Sequence, residues 1–298
     1  MKSPAISRSL CLFVFLAALP ALVQAADTDN SSTNLAVRTV NGYLMVVRVS
    51  INAQGPFDFL VDTGTNTTLV DPELAADLKL KAVDRMALAT LADATPVVRY
   101  YADTVKAGQA SVSHLELLAA PLTEIRTLDS RIRGVVGMNF LLQFSFLLDY
   151  RHQRMAVFPF PDSAPVPAGH RVSVQINDSR ILIPVVSRSS PQGMWNLVLD
   201  SGIGNVLLYQ SRVRAISNPC LAAPCIIQVA TNASNYAAPK VLIPEMLVAE
   251  NSLMNQPAIV LRNDLLKPTD PQDGLLPASI FRSVFFDRSN ATLVVDAR

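Results

Sequence analysis

Two short segments of this chain each place a carboxylate at the end of an apolar run. The first reads FLVDTGT over residues 59–65, and the second reads LVLDSGI over residues 197–203. Two adjacent carboxyls can activate a water molecule and supply a proton to a leaving group, as amide hydrolysis requires. Because like charges at close range cannot both ionise easily, such a pair holds one proton and titrates as a unit. The repeat therefore predicts acid–base chemistry by Asp62 and Asp200.

A single Asp-Thr-Gly or Asp-Ser-Gly tripeptide is more often a simple turn, because Asp and Gly both favour turns. Two copies, each behind an apolar strand and each in its own half, favour a catalytic pair. Other chemistries fit less well. Residues 202–204 lack the third glycine of a dinucleotide loop, and Ser201 lacks the Gly-x-Ser-x-Gly elbow of a serine nucleophile. Without a metal-binding histidine cluster in the sequence, we expect neither a metal nor a cofactor.

The elements that must position these carboxylates also follow one order in both halves. The segment GVVG at 134–137 is echoed by GLLP at 274–277, and apolar strands surround both. Twenty prolines and eleven glycines, together with many Val, Leu, Ile and Thr residues, favour short strands and turns over long helices. The two halves are therefore interpreted as diverged copies of one β-rich unit.

The boundary between the copies falls in a proline-rich segment. Residues 159–169 break all periodicity, as is typical of an extended linker. This pattern predicts one lobe over residues 26–158 and a second over residues 170–298. Each lobe is long enough to bury a core of its own.

Taken together, these features resemble the pepsin–retropepsin superfamily of aspartic proteases, and most closely the exported retropepsin-like proteins of bacteria. The resemblance rests on the two Asp loops and on the two apolar segments that begin with glycine, and it covers nearly the whole chain after residue 25. It implies a mostly β, bilobal fold made of two duplicated retropepsin-like lobes with a cleft between them. It also implies a hairpin flap over bound substrate, whose candidate tip residues are Ala92, Asp93, Ala94, Thr95 and Pro96.

The same resemblance gives roles to the residues beside the carboxylates. Thr63 and Ser201 are expected to hydrogen-bond to the opposite lobe across the interface. Gly64 and Gly202 allow the backbone to pass close to the acids and to turn sharply there. We therefore expect these four residues to support the catalytic pair.

The second copy departs from the superfamily pattern. Thr65 can hydrogen-bond the outer oxygen of Asp62, whereas Ile203 has no hydroxyl to offer Asp200, and Pro277 replaces a glycine. Two functions are consistent with these residues. The first is an aspartic endopeptidase that acts on peptide or protein substrates, and the alternative is a catalytically weakened pseudo-protease that binds peptides or a partner protein. Because one chain carries both carboxylates, neither function needs a dimer.

The N-terminus has the pattern of a signal peptide over residues 1–25. Lys2 and Arg8 precede an apolar stretch at 10–22, and small residues follow at the expected cleavage position, 23–25. The apolar stretch is shorter than the roughly 20 residues that span a bilayer. We therefore expect export to the periplasm or secretion, with no stable membrane span after the signal peptide is removed.

The cysteine content and the charge agree with an exported protein. Cys11 lies in the signal segment, which leaves Cys220 and Cys225 as the remaining pair, and in an oxidising compartment they are predicted to form a disulfide across a small loop. Zinc is less suitable, because no histidine lies near this pair. The formal net charge of +1 gives no basis for nucleic-acid binding.

Overall fold

The structure, a computed structural model, describes residues 33–89, 94–159, 166–213, 226–230, 235–262 and 271–297. The predicted signal peptide lies outside these ranges, as do Cys220, Cys225, Ala92 and Asp93. Most of the described residues lie in β-strands, and the helices are one or two turns long. This agrees with the short strands and turns predicted from composition.

The first half of the chain contains eleven described strands and a few short helices. The strands are β1 (Thr33–Leu35), β2 (Val37–Val40), β3 (Leu44–Ile51), β4 (Gln54–Val61), β5 (Thr68–Val70), β6 (Ala82–Ala89), β7 (Ala94–Ala107), β8 (Ala110–Ala119), β9 (Ile132–Val136), β10 (Phe144–Asp149) and β11 (Arg154–Pro159). The helices are α1 (Pro72–Asp77), α2 (Thr123–Leu128) and α3 (Met138–Leu141). Helix α1 begins after Asp71, whose side chain accepts a hydrogen bond from Glu73 N–H, and the proline that follows suits the first helical position.

The second half has eleven described strands and two short 3₁₀ turns. The strands are β12 (His170–Ser173), β13 (Gln175–Asn177), β14 (Arg180–Val186), β15 (Met194–Asp200), β16 (Val206–Tyr209), β17 (Ile226–Ala230), β18 (Asn235–Val248), β19 (Asn251–Leu261), β20 (Gly274–Pro277), β21 (Phe281–Asp287) and β22 (Thr292–Ala297). The 3₁₀ turns are Gln210–Arg212 and Ala278–Ile280.

Two eight-stranded sheets with the same topology form the two lobes. The N-terminal sheet has the order β2-β3-β4-β9-β5-β8-β7-β6, and the C-terminal sheet has the order β13-β14-β15-β20-β16-β19-β18-β17. The correspondence extends to the parallel pairs, since β4 pairs with β9 as β15 pairs with β20, and to the extra pairings β3–β7 and β14–β18. The prediction of a mostly β, bilobal fold is confirmed.

A third sheet joins the two halves. Its order is β1-β11-β10-β21-β22-β12, so that β10 of the first half pairs antiparallel with β21 of the second. Phe146 lies opposite Phe286 in this central pair, and their ring centroids are 5.3 Å apart. One apolar cluster contains buried residues of both halves, including Val61, Phe146 and Leu199. The lobes therefore share a core and cannot be separated without exposing it to water.

Glycines allow β9 and β20 to pass close to their neighbours. A Cβ on Gly274 would overlap the carbonyl oxygen of Leu207 in β16, and one on Gly134 would overlap the ring of Phe59 in β4. These glycines open the two segments that the sequence analysis matched between the halves. Their small size is required by packing beside the strands that carry the two Asp loops.

We expect Gly274→Ala to lower the free energy of unfolding by about 3 kcal/mol, because the new methyl group meets backbone atoms that cannot rotate away. Gly193→Ala is the matched control. Its Cβ would meet nothing within 4 Å, although its φ of +82° costs an alanine about 1 kcal/mol. Urea denaturation of both variants measures the difference. Equal losses would show that the contact between β16 and β20 does not constrain this position.

Candidate active site

Asp62 and Asp200 occupy the same position in their lobes. Asp62 directly follows β4, and its N–H donates to the carbonyl of Val136 at the end of β9, 3.1 Å away. Asp200 is the last residue of β15 and lies opposite Pro277 at the end of β20. In both lobes, therefore, the carboxylate is held at the point where a parallel strand pair ends.

The two Asp loops lie against each other. A Cβ on Gly64 would overlap the carboxylate of Asp200, and a Cβ on Gly202 would lie 2.9 Å from the carboxyl carbon of Asp62. At this range the negative charge of Asp62 acts on Asp200 and raises its pKa. The structure thus brings together the two acids that the sequence analysis paired, and each glycine makes room for the carboxyl of the opposite lobe.

Four reciprocal hydrogen bonds join the two loops. The Thr63 hydroxyl donates to the carbonyl of Leu199 (2.8 Å) and accepts from the N–H of Ser201 (3.0 Å). In the same way, the Ser201 hydroxyl donates to the carbonyl of Val61 (2.8 Å) and accepts from the N–H of Thr63 (3.1 Å). Both hydroxyl residues are fully buried. This arrangement agrees with the interface role expected for Thr63 and Ser201.

The two carboxyls have different hydrogen-bond donors. Asp62 accepts from the N–H of Gly64 (2.8 Å) and from the hydroxyl of Thr65 (2.9 Å). Asp200 accepts from the N–H of Gly202 (2.7 Å). Ile203, at the position equivalent to Thr65, packs instead against an apolar cluster of the second lobe. Asp62 is therefore better supplied with donors for a negative charge than Asp200 is.

The segments that pack behind the two Asp loops also differ, and again the first lobe supplies more polar contacts. Thr68 donates its hydroxyl to Asn139 Oδ1 (2.7 Å) and accepts from the N–H of Gly137 (3.2 Å). In the second lobe Val206 takes the place of Thr68, and Pro277 has no N–H to donate. The Asp62 loop is thus supported by polar contacts, whereas the Asp200 loop rests mainly on apolar packing.

The pKa of Asp200 is raised well above its ordinary value of 3.8. Burial is the main cause, because it removes water from the charged form, and the negative charge of Asp62 adds to it. The hydrogen bond from Gly202 and the positive charge of Arg180 act in the opposite direction. Burial and the neighbouring acid prevail, so Asp200 holds a proton more tightly than an isolated aspartate does.

Comparisons with known proteins agree with this geometry. Residues 47–140, which include Asp62, match the model of a family described as aspartyl protease. The chain is similar in structure to a retropepsin-like aspartic protease from Rickettsia conorii, with 18% identity and a TM-score of 0.32 over 43% of this chain and 90% of that chain. It is also similar to the aspartic proteinase from Irpex lacteus, with 10% identity and a TM-score of 0.52 over 90% of this chain and 97% of that chain.

Over residues 47–140 the chain is similar in sequence to aspartyl proteases. At 10% identity the likeness to the Irpex lacteus enzyme shows the fold alone, and it extends that fold over both lobes. The family match, by contrast, ends before Asp200. No curated protein sequence matches the chain.

Two residues beside the dyad were missed by the sequence analysis. Tyr43 of the first lobe lies against Gly204 in the Asp200 loop, where a Cβ would come within 2.9 Å of its ring. Arg180 of the second lobe donates from Nε to Asn66 Oδ1 in the Asp62 loop, at 2.8 Å. Asn66 and Gly204 each lie four residues past a catalytic candidate. Each lobe therefore contacts the Asp loop of the other lobe.

A direct alignment of the two halves could have matched the turns that carry these residues, although not their contacts with the opposite lobe. The residues Asn41 and Gly42 before Tyr43, like Asp178 and Ser179 before Arg180, have positive φ and form a tight turn. Tyr43 and Arg180 thus each follow the equivalent turn of their lobe, although the strand registers place Arg180 level with Leu44. Burial raises the pKa of Tyr43, and the charge of Asp200 adds to the effect.

The hairpin expected to form a flap is present as β6 and β7. Ala94, Thr95 and Pro96 lie within β7, and Pro96 pairs with Ala87 of β6, so these residues form part of a strand rather than the tip. The sequence analysis did not identify the corresponding hairpin of the second lobe, β17–β18, which occupies the same place in its sheet.

Within the described ranges, no group of His, Cys, Asp and Glu side chains is arranged to hold a metal ion. Over the same residues, no helix has the length and apolar character of a membrane span.

We expect Thr63→Val to lower the free energy of unfolding by about 3 kcal/mol, because it leaves a buried carbonyl at Leu199 and a buried N–H at Ser201 unpaired. Thr39→Val is the matched control, since the Thr39 hydroxyl is buried without a partner and its removal should be neutral or stabilising. Urea denaturation measures both changes. Similar effects in the two variants would contradict the importance of the loop-to-loop hydrogen bonds.

We also expect the stability of the wild-type protein to fall as the pH rises through the raised pKa of Asp200. Between the unfolded and folded pKa values the folded protein binds more protons, so raising the pH favours unfolding. Because Asn cannot ionise, Asp200→Asn should be more stable than wild type at about pH 7. The difference in their free energies of unfolding should disappear at about pH 3. Urea denaturation across this range tests the prediction, with the exposed Asp103→Asn as control. Identical pH dependence in wild type and Asp200→Asn would contradict it.

Proposed function

We propose that this protein is an aspartic endopeptidase that hydrolyses peptide bonds with a water molecule activated by Asp62 and Asp200. The observation that carries the proposal is the pair of carboxyls whose loops face each other, in which burial raises the pKa of Asp200 while Asp62 has additional hydrogen-bond donors. The match of residues 47–140 to the aspartyl protease family supports the same chemistry.

The asymmetry of the pair assigns a role to each acid. Asp62, with donors from Gly64 and Thr65, carries the negative charge and takes a proton from the water as its oxygen attacks the substrate carbonyl carbon. Asp200 donates its proton to the carbonyl oxygen, which gives a neutral tetrahedral intermediate. When the C–N bond breaks, Asp62 passes its proton to the leaving nitrogen and Asp200 recovers one from the intermediate. The pair ends in its starting state.

The proposed enzyme is an exported protein with two lobes that bind the substrate between them. Residues 1–25 direct the chain to the periplasm or the exterior, and the linker 159–169 separates lobes at 26–158 and 170–298. Cys220 and Cys225 form a disulfide in that compartment. Substrates are peptides or unfolded proteins that lie between the lobes under the β6–β7 hairpin. A dimer is not required, because one chain supplies both acids.

A second candidate function is a pseudo-protease that binds peptides or a partner protein without cleaving them. The observation that favours it is Ile203, which packs into an apolar cluster and leaves Asp200 without the hydroxyl that Thr65 gives Asp62. Cleavage assays on the wild type and on variants of the site distinguish the two functions.

We expect the wild-type protein to cleave a denatured protein with a bell-shaped pH profile on the acidic side, because the pair works with one proton. Asp62→Asn and Asp200→Asn should each abolish cleavage, and the double variant should lose little more, since the acids act as a unit. The exposed Asp103→Asn is the matched control and should retain full activity. Mass spectrometry of the digest gives the rates.

Three outcomes would contradict the proposed enzyme. Cleavage that keeps rising into alkaline solution indicates another mechanism. Full activity in Asp200→Asn, with Asp62→Asn inactive, removes the second lobe from the chemistry. A wild-type protein that cleaves nothing, while Ile203→Thr does cleave, identifies a binding protein that has lost its activity.

A further inference from the structure

The two equivalent turns that flank the dyad end in residues of different chemistry. On one side the turn ends in Tyr43 against Gly204, and on the other it ends in Arg180, bonded to Asn66. The sheets of the two lobes have the same topology, but these two positions present an aromatic ring and a guanidinium group. The surroundings of the carboxyl pair are therefore chemically different in the two lobes, even though the framework is duplicated.

Arg180 has donors available for a ligand. Its Nε is used by Asn66, whereas its two Nη groups make no hydrogen bond to any described residue, and no described carboxylate forms a salt bridge with it. The nearby carboxylate of Asp178 accepts a hydrogen bond from Asn66 at 2.7 Å instead. The Arg180 side chain is partly exposed. A planar guanidinium with unused donors is well suited to a carboxylate ligand.

Both residues also lie close enough to the dyad to act on a peptide bound there. The positive charge of Arg180 acts on Asp200, and the charge of Asp200 in turn raises the pKa of the Tyr43 phenol. Each is attached to an Asp loop of the opposite lobe, so neither can move away without disturbing that loop. The two side chains therefore occupy fixed positions on opposite sides of the carboxyl pair.

We propose that Arg180 binds an acidic side chain of the peptide on one side of the scissile bond, while Tyr43 presents a mainly apolar surface on the other. This inference rests on the proposed endopeptidase function and extends it to substrate choice. A peptide that lies across a duplicated framework could bind in either direction. An acidic residue that pairs with Arg180 fixes one direction, because in the reverse direction it would meet the Tyr43 ring.

A merely structural role for Arg180 predicts a different result. In that case the residue only holds Asn66, and a neutral donor could replace it without changing which peptides are cleaved. Arg180→Gln keeps an N–H donor and removes the charge, whereas Arg180→Glu reverses the charge. Arg188→Glu is the matched control, since Arg188 is exposed and follows the far end of β14.

The first experiment maps cleavage sites in a mixture of denatured proteins by mass spectrometry. Wild type should cut with Asp or Glu enriched about tenfold over Lys or Arg at one fixed position, a preference that corresponds to about 1.4 kcal/mol. Arg180→Gln should lose this preference, and Arg180→Glu should favour Lys or Arg at the same position. Arg188→Glu should cut as wild type does. A wild type without the preference, or an Arg180→Glu with an unchanged one, overturns the inference.

The second experiment does not depend on cleavage. Random peptides are selected for binding to Asp62→Asn protein, and binding is then measured with and without Arg180→Glu. Acidic peptides that lose at least about tenfold in affinity on charge reversal support the inference even if wild type cuts nothing, in which case the endopeptidase proposal fails alone. Cleavage without acid preference leaves the enzyme standing and overturns the role of Arg180. Failure to select acidic peptides also overturns it.

Discussion

The reciprocal hydrogen bonds between Thr63 and Ser201 are the constraint on which the rest of the structure depends. Two carboxyls in a site with little water repel each other when both are charged, and only a rigid connection between their loops keeps them in contact. Each hydroxyl both donates to a backbone carbonyl and accepts from a backbone N–H of the opposite loop. Only a small hydroxyl side chain can do both at once, which explains why Thr and Ser occupy these positions.

The sheets are built to deliver the two loops to this meeting point. The parallel pairs β4–β9 and β15–β20 end together, so the chain leaves both sheets at the same level and turns toward the partner loop. Glycines at 134 and 274 allow these strands to approach their neighbours closely. The shared core and the β10–β21 pair then hold the two lobes in one relative orientation. The lobes are therefore parts of one cooperative structure.

The sequence was sufficient to predict the features that repeat locally. Comparing short segments of the two halves identifies the two Asp loops and the order of the strands. It also shows that Ile203 lacks the hydroxyl of Thr65. The contacts of Arg180 and Tyr43 could not be predicted in this way, because they join residues more than 110 positions apart and depend on how the lobes face each other. Pro96 misled the assignment of the flap tip, since proline usually ends a strand. It is tolerated in β7 because that part of the strand pairs with β6 only, where one backbone donor can be absent.

The sheet that joins the two halves cannot be completed until late in the synthesis of the chain. The first half emerges from the ribosome with β10 unpaired along one edge, and its partner β21 follows more than 130 residues later. During that interval the open edge is a template on which a strand of another chain can pair. Closing the sheet also requires contacts of large sequence separation, which form slowly. The duplicated architecture thus gives a single-chain site at the cost of a long period in which the nascent chain is prone to association.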